Sequence, residues 1–259
     1  MRTATKLDTV SSGVARRRYV PAIFAMQGFP AFDDAMQSWA SLRRSRYSEG
    51  QAPNVPVGSA LKRAFDLALA TTVLVLLAPL LLVISLLLRF SQGGSVIFAH
   101  SRIGFGGRRF ACYKFRTMVP NADEVLRAHL ARDPVSAEEW RMTQKLKRDP
   151  RVTFIGNLIR KSSIDELPQL FNVLKGDMSC IGPRPVVESE LERYGAEKET
   201  YLRARPGISG LWQVSGRNSL SYEERVALDA EYVRNWNMAS DFVILLKTIP
   251  AVLRSGDTS

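Results

Sequence analysis

Residues 162–185, with the sequence SSIDELPQLFNVLKGDMSCIGPRP, form the stretch around which the chain is organised. Two adjacent carboxylates, Asp165 and Glu166, stand at the start of a predicted helix, and a stiff Pro-Arg-Pro corner follows just past its end. Gly176 suits the end of this helix, because glycine readily adopts the left-handed conformation found there. The apolar residues recur at helical spacing, which predicts one buried face: Leu167, Leu170, Phe171 and Leu174.

The start of this helix predicts how the two carboxylates are held. Ser163 and Glu166 fit a capping box, whereas Pro168 is better tolerated if Asp165 is the cap and Pro168 lies in the first turn. Both registers place Asp165 at the positive end of the helix dipole, which favours its ionised form by about 0.3 to 1 kcal/mol. A nucleophile or a magnesium ligand needs an ionised carboxylate. Acidic residues are also common in the first turn of ordinary helices, so the pair alone does not establish catalysis.

The composition points to an anionic partner. The 259 residues carry a formal net charge of +11, which suits nucleic acid, an acidic lipid surface or a phosphorylated substrate. The two cysteines lie far from the two histidines, and this predicts neither a disulfide framework nor a zinc site. Residues 1–60 are rich in arginine and lack sustained apolar periodicity, so we predict a flexible basic arm and no signal peptide.

An uncharged apolar run at residues 67–88 predicts contact with a membrane. A helix of that length would be about 33 Å long, enough to cross the hydrocarbon core. Pro79 interrupts the run, and basic residues flank it on both sides, so the positive-inside tendency places both ends in the cytoplasm. We therefore predict a re-entrant helix-break-helix over about residues 62–90, with its kink at Pro79, in preference to a spanning helix.

Residues 91–254 are predicted to form a cytoplasmic domain with a small strand region at about residues 95–118. A glycine-rich turn preceded by Arg102 is suited to phosphate, although such turns are also common in hairpins. The strand that follows places Lys114 and Arg116 on one face. Arg160 lies shortly before the carboxylates, where it either forms a salt bridge or holds a pyrophosphate.

A second glycine-rich segment, residues 205–218, contains Trp212, Gln213 and Arg217. Such a set suits a nucleobase or a sugar, while Trp212 is equally consistent with a core position. A membrane-bound domain with these groups and an activated carboxylate pair predicts phosphoryl transfer from a nucleotide-linked substrate to a lipid phosphate. The candidate substrate-binding residues are Lys62, Arg63, Arg102, Lys114, Arg116, Arg160, Pro183, Arg184, Pro185, Gln213 and Arg217.

Five motifs in order along the chain resemble the bacterial sugar transferases, the small monotopic polyprenyl-phosphate phosphoglycosyl transferases. They are KRAFD at 62–66, KFRTM at 114–118, DELPQ at 165–169, GPRP at 182–185 and PGISGLWQ at 206–213. The resemblance covers about residues 60–253 and implies a mostly helical α+β fold, monotopic in the membrane, with a re-entrant helix and amphipathic interfacial helices. Relatives often have Ser-Pro at the helix break. Here the pair is Ala78-Pro79, which keeps the proline kink but lacks the serine hydroxyl.

The resemblance also implies a ping-pong mechanism with Mg²⁺ and a nucleoside diphosphate sugar, here a UDP-hexose. By position, Asp165 would be the nucleophile that forms a phosphosugar-enzyme, Glu166 its magnesium or acid-base partner, and Arg184 the residue that binds the diphosphate. Both carboxylates are candidate metal ligands. The acceptor would be a polyprenyl phosphate such as undecaprenyl phosphate.

The same resemblance places the catalytic domain on the cytoplasmic face of the bacterial inner membrane. Transfer of galactose-phosphate or glucose-phosphate there would start exopolysaccharide repeat-unit assembly. Longer relatives carry four extra membrane helices before this domain, for which residues 1–60 are too short. The chain therefore resembles the short form of the family.

The competing hypothesis is a non-catalytic basic membrane-surface protein that binds acidic lipid or nucleic acid. In that case Asp165 and Glu166 are helix-start residues only. Binding by charge alone requires neither the Pro-Arg-Pro corner nor the turn around Trp212. The sequence also lacks the interleaved aromatic and basic residues of a nucleic-acid platform, so we predict no nucleic-acid partner.

Overall fold

The computed structural model describes residues 55–58, 60–143 and 145–253, without the side chains of Thr143, Asn218 and Leu253. Almost all of the predicted basic arm, residues 1–60, lies outside the described residues. The described part is mostly helical, with two two-stranded sheets, as predicted. Its α-helices are α1 (Ala60–Gln92), α2 (Ala122–Arg132), α3 (Pro134–Thr143), α4 (Phe154–Lys161), α5 (Gln169–Lys175), α6 (Glu188–Glu192), α7 (Lys198–Leu202), α8 (Leu211–Ser215), α9 (Tyr222–Arg234) and α10 (Met238–Leu253).

The predicted strand region forms a hairpin. Strand β1 (Ile97–Ile103) pairs antiparallel with β2 (Arg109–Phe115), and Ile97 lies opposite Phe115. The turn between them contains Gly106 at φ 63°, in the left-handed region that glycine adopts without steric cost. The hairpin therefore confirms the strand region predicted at about residues 95–118.

The second sheet leads directly into the Pro-Arg-Pro corner. Strand β3 (Ser179–Ile181) pairs parallel with β4 (Gly207–Ser209). The two backbones approach closely just past β3, since a Cβ atom on Gly207 would lie 2.1 Å from the Gly182 nitrogen. Gly207 N also donates to the Pro183 carbonyl oxygen at 2.7 Å. Gly182 and Gly207 therefore allow the close backbone packing that holds the corner, because a larger residue at either position would force the backbone to move.

Helix α1 is the long apolar element of the chain. Within the described residues it is the one helix long and apolar enough to cross a membrane. Ala70 in its first half and Leu88 in its second half are buried, whereas Val75 and Leu76 near its middle are 68% and 71% exposed. Helical conformation continues through Pro79. The helix is therefore not interrupted there, and the kink stays a prediction.

Two buried apolar clusters attach the halves of α1 to the rest of the domain. The first half packs against α5, β3, α9 and α10 through the larger cluster. The second half belongs to a smaller cluster, here called the α1–α4 cluster, whose buried members are Ile84, Leu88, Phe115 and Ile159. Ile155 and Ile164 pack against the α1–α4 cluster. Both halves of α1 therefore contact one and the same domain.

Local sequence signals predict several helices correctly and one incorrectly. The charged residues 121–147 predict one or two helices broken near Asp133, and Ser221 with Glu224 predicts a capping box. Helices α2 and α3 are separated at Asp133, and α9 begins with that capping box. The charged sequence from Val187 to Tyr201 predicts a single helix. That prediction is wrong, because α6 and α7 are separate and a 3₁₀ turn, Gly195–Glu197, lies between them. Gly195 adopts φ 53° there, a conformation that an α-helix does not contain.

Candidate active site

Asp165 and Glu166 lie in a short 3₁₀ helix, Ile164–Glu166, between α4 and α5. The predicted capping box of Ser163 and Glu166 is wrong. Ser163 is left-handed, at φ 56°, and its side chain caps nothing, while Pro168 occupies the N-cap position of α5. Ser163 serves to turn the chain out of α4, and Glu166 bonds to a distant lysine instead.

That lysine is Lys114 on β2. Its Nζ atom donates to Glu166 Oε1 at 2.6 Å, and both side chains are partly buried. Burial works to raise the pKa of Glu166, but the charges of Lys114 and Arg184, with the hydrogen bond from Lys114, outweigh it and hold the pKa below its usual range. Glu166 is therefore an ionised carboxylate at neutral pH.

Asp165 has the opposite shift. Burial, together with the negative charge of Glu166, raises the pKa of Asp165 to about 6, although Lys114 and Arg160 work to lower it. The prediction that the helix dipole favours the ionised form is therefore wrong, because α5 begins beyond Asp165 and the carboxyl is desolvated. Two neighbouring carboxylates with pKa values pushed apart are typical of groups with separate chemical roles.

Glu166 lines a small pocket together with several of the predicted substrate-binding residues. Arg102, Lys114 and Arg184 line this pocket, which suits a diphosphate. Glu166 is the one acidic residue of the lining, and Arg102 also pairs with Glu190 outside it at 3.3 Å. The pocket confirms that these cations lie together. Its lining consists of Arg102, Cys112, Lys114, Glu166, Gln169, Arg184, Pro185, Ile208 and Gln213.

Trp212 supports the arginine of the Pro-Arg-Pro corner. It is 6% exposed, as expected for a core residue, yet the Arg184 guanidinium carbon lies 5.8 Å from its ring centroid. Arg225 lies 4.9 Å from the same ring centroid. Attraction between a guanidinium and an indole at such distances restrains the arginine. Trp212 therefore occupies the core position and contacts the pocket arginine Arg184, while its contact with a nucleobase or sugar stays a prediction.

Gln213 presents an unsatisfied acceptor at the pocket. Its Nε2 atom donates to the Ile208 carbonyl oxygen at 3.2 Å, whereas its Oε1 atom is buried with no hydrogen-bond partner in the protein. Such an atom costs about 1 to 3 kcal/mol unless another group donates to it. A donor group on a bound ligand would remove this cost.

Lys62 and Arg63 are placed differently from the prediction. Lys62 is buried, and its Nζ atom donates to Asp241 Oδ2 at 2.7 Å and to the Ile181 carbonyl oxygen at 3.1 Å. Arg63 donates to the carbonyl oxygens of Val173 and Leu174 at the end of α5. Neither lines the pocket. Their donors are used inside the protein, which gives both residues structural roles; that they also bind substrate stays a prediction.

Arg116 and Pro183 also lie outside the pocket lining. Strand β2 ends at Phe115, so the alternation that was predicted to place Arg116 beside Lys114 does not continue. The Arg116 guanidinium instead approaches Gly94. Pro183 is buried, and its carbonyl oxygen accepts the bond from β4 that holds the corner. Its role in the site is to shape the backbone.

Arg160 and Arg217 have well-defined polar partners. Arg160 Nε donates to Thr117 Oγ1 at 2.7 Å, and its charge acts on Asp165 to lower the carboxyl pKa. Arg217 Nε donates to the Gln213 carbonyl oxygen at 3.1 Å. Arg160 therefore lies on the Asp165 side of the site, and Arg217 lies behind Gln213, outside the pocket lining.

Sequence reasoning missed three residues of the pocket lining. Cys112 precedes Lys114 by two positions on β2, so strand alternation would have placed it on the same face. Gln169 follows Asp165 by four positions, but the intervening break in the helix hides that relation. Ile208 lies within the second glycine-rich segment and carries no chemical signal of its own.

Asp165 and Glu166 are the candidate metal ligands. No group of three or more His, Cys, Asp or Glu side chains that would suit a metal ion occurs among the residues that the structure describes. Mg²⁺ is commonly held by one or two protein carboxylates together with substrate phosphates and water. The pair therefore fits Mg²⁺ bound with a phosphorylated substrate and does not fit a closed zinc site.

Residues 57–255 match the family described as bacterial sugar transferase. The chain belongs to this family. The exopolysaccharide production protein ExoY of Sinorhizobium fredii is 54% identical over 200 residues, which are 77% of this chain and 88% of the relative. The undecaprenyl-phosphate galactose phosphotransferase of Salmonella typhimurium is 52% identical over 194 residues, which are 75% of this chain and 40% of the relative.

A more distant relative is the UDP-glucose:undecaprenyl-phosphate glucose-1-phosphate transferase of Escherichia coli. It is 38% identical over 202 residues, which are 74% of this chain and 40% of the relative. The Salmonella and E. coli proteins are thus matched over less than half of their length. Membership in the bacterial sugar transferases confirms the resemblance drawn from the five motifs. The chain is an enzyme of the transferase class, and the non-catalytic alternative has no support.

Proposed function

We propose that this bacterial sugar transferase moves a hexose-1-phosphate, of the galactose or glucose type, from a UDP-hexose to a polyprenyl phosphate, and thereby starts exopolysaccharide repeat-unit assembly. The names of the relatives support this proposal, since they specify exopolysaccharide production and transfer of galactose phosphate or glucose-1-phosphate to undecaprenyl phosphate. The observation that carries it is the adjacent pair Asp165 and Glu166, of which Glu166 lines a cationic pocket and is bonded to Lys114.

The pocket residues bind the donor. Arg102, Lys114 and Arg184 hold the diphosphate, because guanidinium and ammonium groups bind phosphate oxygens through charge-assisted hydrogen bonds. Trp212 restrains Arg184, so less conformational freedom is lost when the arginine binds. Gln213 Oε1 accepts a hydrogen bond from the nucleobase or the sugar, which satisfies the acceptor that is unpaired in the free protein.

Asp165 is the nucleophile of the first half-reaction. Its ionised carboxylate oxygen attacks the phosphorus that bears the hexose and forms a new P–O bond. The bond from that phosphorus to the bridging oxygen breaks, and UMP leaves with the electron pair. The raised pKa makes Asp165 a stronger base than an ordinary aspartate, while about nine tenths of it is ionised at pH 7 if the pKa is 6.

The acceptor phosphate completes the second half-reaction. One of its oxygens attacks the same phosphorus, the bond to Asp165 breaks, and the carboxylate is restored. Glu166 stays ionised throughout because Lys114 and Arg184 lower its pKa. A proton acceptor working near pH 7 needs a pKa close to 7, so the lowered pKa favours the metal-ligand role of Glu166 over the acid-base role.

We propose Mg²⁺ as the cofactor, with Glu166 and Asp165 as its protein ligands. When bound, it would neutralise part of the negative charge on the diphosphate and polarise its oxygens. The chain itself contributes two oxygen donors of the type that Mg²⁺ prefers. Lys114 keeps Glu166 in place through the 2.6 Å contact between Nζ and Oε1.

The membrane arrangement that we propose is re-entrant, at the cytoplasmic face of the inner membrane. Near the start of α1, Lys62 bonds to Asp241, and at its end Gln92 Nε2 donates to Thr153 Oγ1 at 2.9 Å. A spanning helix has its ends on opposite faces of the bilayer, about 30 Å apart across the hydrocarbon, so contacts of both ends with one domain favour a helix that returns. Such a helix also requires the bend at Pro79, which is part of this proposal.

Mass spectrometry of the detergent-solubilised enzyme with Mg²⁺ and a UDP-hexose, without acceptor, tests the covalent step. We expect a hexose-phosphate adduct on Asp165 and its absence in Asp165→Asn. The matched control is Asp123→Asn, which changes an exposed first-turn aspartate of α2. If UMP were released only when polyprenyl phosphate was present and no adduct formed, Asp165 would not be the nucleophile. If no donor supported either event, the transferase proposal would fail.

Cysteine labelling tests the membrane arrangement. Cys112 and Cys180 are buried, so exposed positions on either side of α1 can be labelled separately in Leu61→Cys and Ser95→Cys variants. We expect a membrane-impermeant maleimide to label both variants in inside-out vesicles and neither in right-side-out vesicles. Labelling of the two positions from opposite sides would refute the re-entrant arrangement.

A further inference from the structure

We propose that an apolar groove between the second half of α1 and helix α4 binds the isoprenoid chain of the lipid acceptor. This inference rests on the proposed function, because it takes polyprenyl phosphate as the acceptor. The groove has a volume of about 410 Å³, which lies within the range of small-molecule sites. It is lined by Val83, Leu86, Leu87, Phe90, Ser91 and Ile155.

Polar bonds and buried contacts fix the width of the groove. Gln92 at the end of α1 donates to Thr153 Oγ1 at 2.9 Å, and the same Oγ1 atom accepts the Gly156 backbone N–H at 3.0 Å as the cap of α4. The α1–α4 cluster joins the two helices a turn further along. The groove is therefore a built feature of the fold, because its walls are held at their ends by specific contacts.

The groove and the segment that carries Asp165 pack against the same apolar cluster. Ile155 lines the groove and also packs against the α1–α4 cluster, as does Ile164, the residue before Asp165. Arg160 lies about 7.5 Å further along the axis of α4 than Ile155. Its Nε atom bonds to Thr117, and its charge acts on Asp165. Beyond the end of an isoprenoid chain lying in the groove, the next charged group on α4 is therefore the Arg160 cation, which acts on the Asp165 carboxylate.

A ligand that fits both the apolar groove and the Arg160 cation has an apolar chain and an anionic head. A soluble phosphate would not use the apolar lining, and an uncharged hydrocarbon would not use Arg160. A polyprenyl phosphate uses both, and its phosphate would then lie next to the phosphosugar on Asp165. A membrane phospholipid offers a similar combination of chain and head, so the experiment must separate the isoprenoid from an acyl chain.

The test fills the groove without touching the catalytic residues. Leu87→Trp adds bulk to the lining, and Leu82→Trp adds the same bulk at a neighbouring position of α1 that is exposed and outside the lining. In nanodiscs, we would measure adduct formation from the UDP-hexose alone and, separately, the KM for undecaprenyl phosphate. We expect adduct formation in both variants and a KM raised about tenfold only in Leu87→Trp, the scale at which apolar pockets reject a misfitting group.

Three outcomes separate the possibilities. An unchanged KM in Leu87→Trp overturns the groove proposal, while adduct formation in the same sample leaves the proposed function standing. Inhibition by excess phosphatidic acid that Leu87→Trp relieves would assign the groove to acyl chains and overturn the isoprenoid assignment. If Leu87→Trp forms no adduct because it is misfolded, Val83→Phe takes its place in the same comparison. If the unmodified enzyme gives neither an adduct nor release of UMP in the presence of undecaprenyl phosphate, the proposed function itself fails.

Discussion

Replacing Glu166 by glutamine is expected to change the pH dependence of the first half-reaction in a defined direction. In the unmodified protein, the pKa of Asp165 is raised to about 6 by burial and by the charge of Glu166. On the proposed mechanism, adduct formation requires the ionised aspartate, so its rate should rise with pH and reach half of its plateau near pH 6. Glu166→Gln removes the negative charge, and Lys114 then loses its partner.

Both consequences lower the pKa of Asp165. The repulsion between two neighbouring carboxylates is gone, and the Lys114 ammonium, which already lowers the pKa of Asp165, is no longer neutralised by Glu166. Removal of a charge at close range displaces a pKa by about 1 unit or more, and one unit corresponds to about 1.4 kcal/mol. We expect the midpoint of the pH profile to move from near 6 to 5 or below, where burial still keeps it above the ordinary value of 3.8.

The assay is quenched single-turnover adduct formation, measured by intact-protein mass spectrometry between pH 4.5 and 8. The plateau rate also falls in Glu166→Gln, because the variant loses a candidate ligand for Mg²⁺. The midpoint of the pH profile and the plateau rate of adduct formation are therefore evaluated separately. A midpoint that stayed at 6 would mean that a group other than Asp165 titrates, and an adduct found on Glu166 in the unmodified protein would reverse the two roles.

Three further predictions test the electrostatics. Asp165→Asn is expected to raise the free energy of unfolding at pH 8 by up to about 3 kcal/mol, because an ionised carboxyl whose pKa is raised from 3.8 to about 6 opposes folding. The gain should shrink as the pH falls through 6 and vanish below 3.8, in unfolding experiments in detergent; lower stability than the unmodified protein at pH 8 would contradict it. Lys62→Met should cost about 3 to 5 kcal/mol by leaving Asp241 without its buried cation. The double variant Lys62→Met/Asp241→Asn should recover part of this loss, and equal losses in both would argue against the ion pair. Arg184→Lys should raise the KM for the donor about tenfold, because lysine lacks the planar fork that binds two phosphate oxygens. Arg225→Lys, which changes the other arginine on the Trp212 ring but not the pocket lining, should leave this KM nearly unchanged.

Features of the fold that depend on near neighbours in sequence were predictable. The apolar run marks α1, the alternation after the glycines marks β2, and Ser221 with Glu224 marks the start of α9. Each signal acts within a few residues, so tertiary structure does not override it.

Features that depend on distant partners were not predictable from one sequence. Lys62 precedes an apolar membrane segment, which favours an exposed cation, but Asp241 lies 179 positions away and draws it into the interior. The pairing of Lys114 with Glu166 joins residues 52 positions apart. Sequence reasoning identified both as functional residues without indicating that they form one pair. The raised pKa of Asp165 follows from burial, which the dipole argument did not include.

The α1–α4 cluster connects attachment to the membrane with the chemistry of the site. Ile84 and Leu88 on α1 pack with Phe115, which follows Lys114 in the sequence. Ile164, which precedes Asp165, packs against the same cluster. The same helix that contacts lipid therefore helps to place the cation and to desolvate the carboxylate. Since burial is the largest cause of the raised pKa of Asp165, displacement of the second half of α1 would admit water and return that pKa toward its ordinary value. On the proposed mechanism, the packing of the second half of α1 therefore helps to set the basicity of Asp165, and a variant that loosens this packing should lower the midpoint of the pH profile of adduct formation.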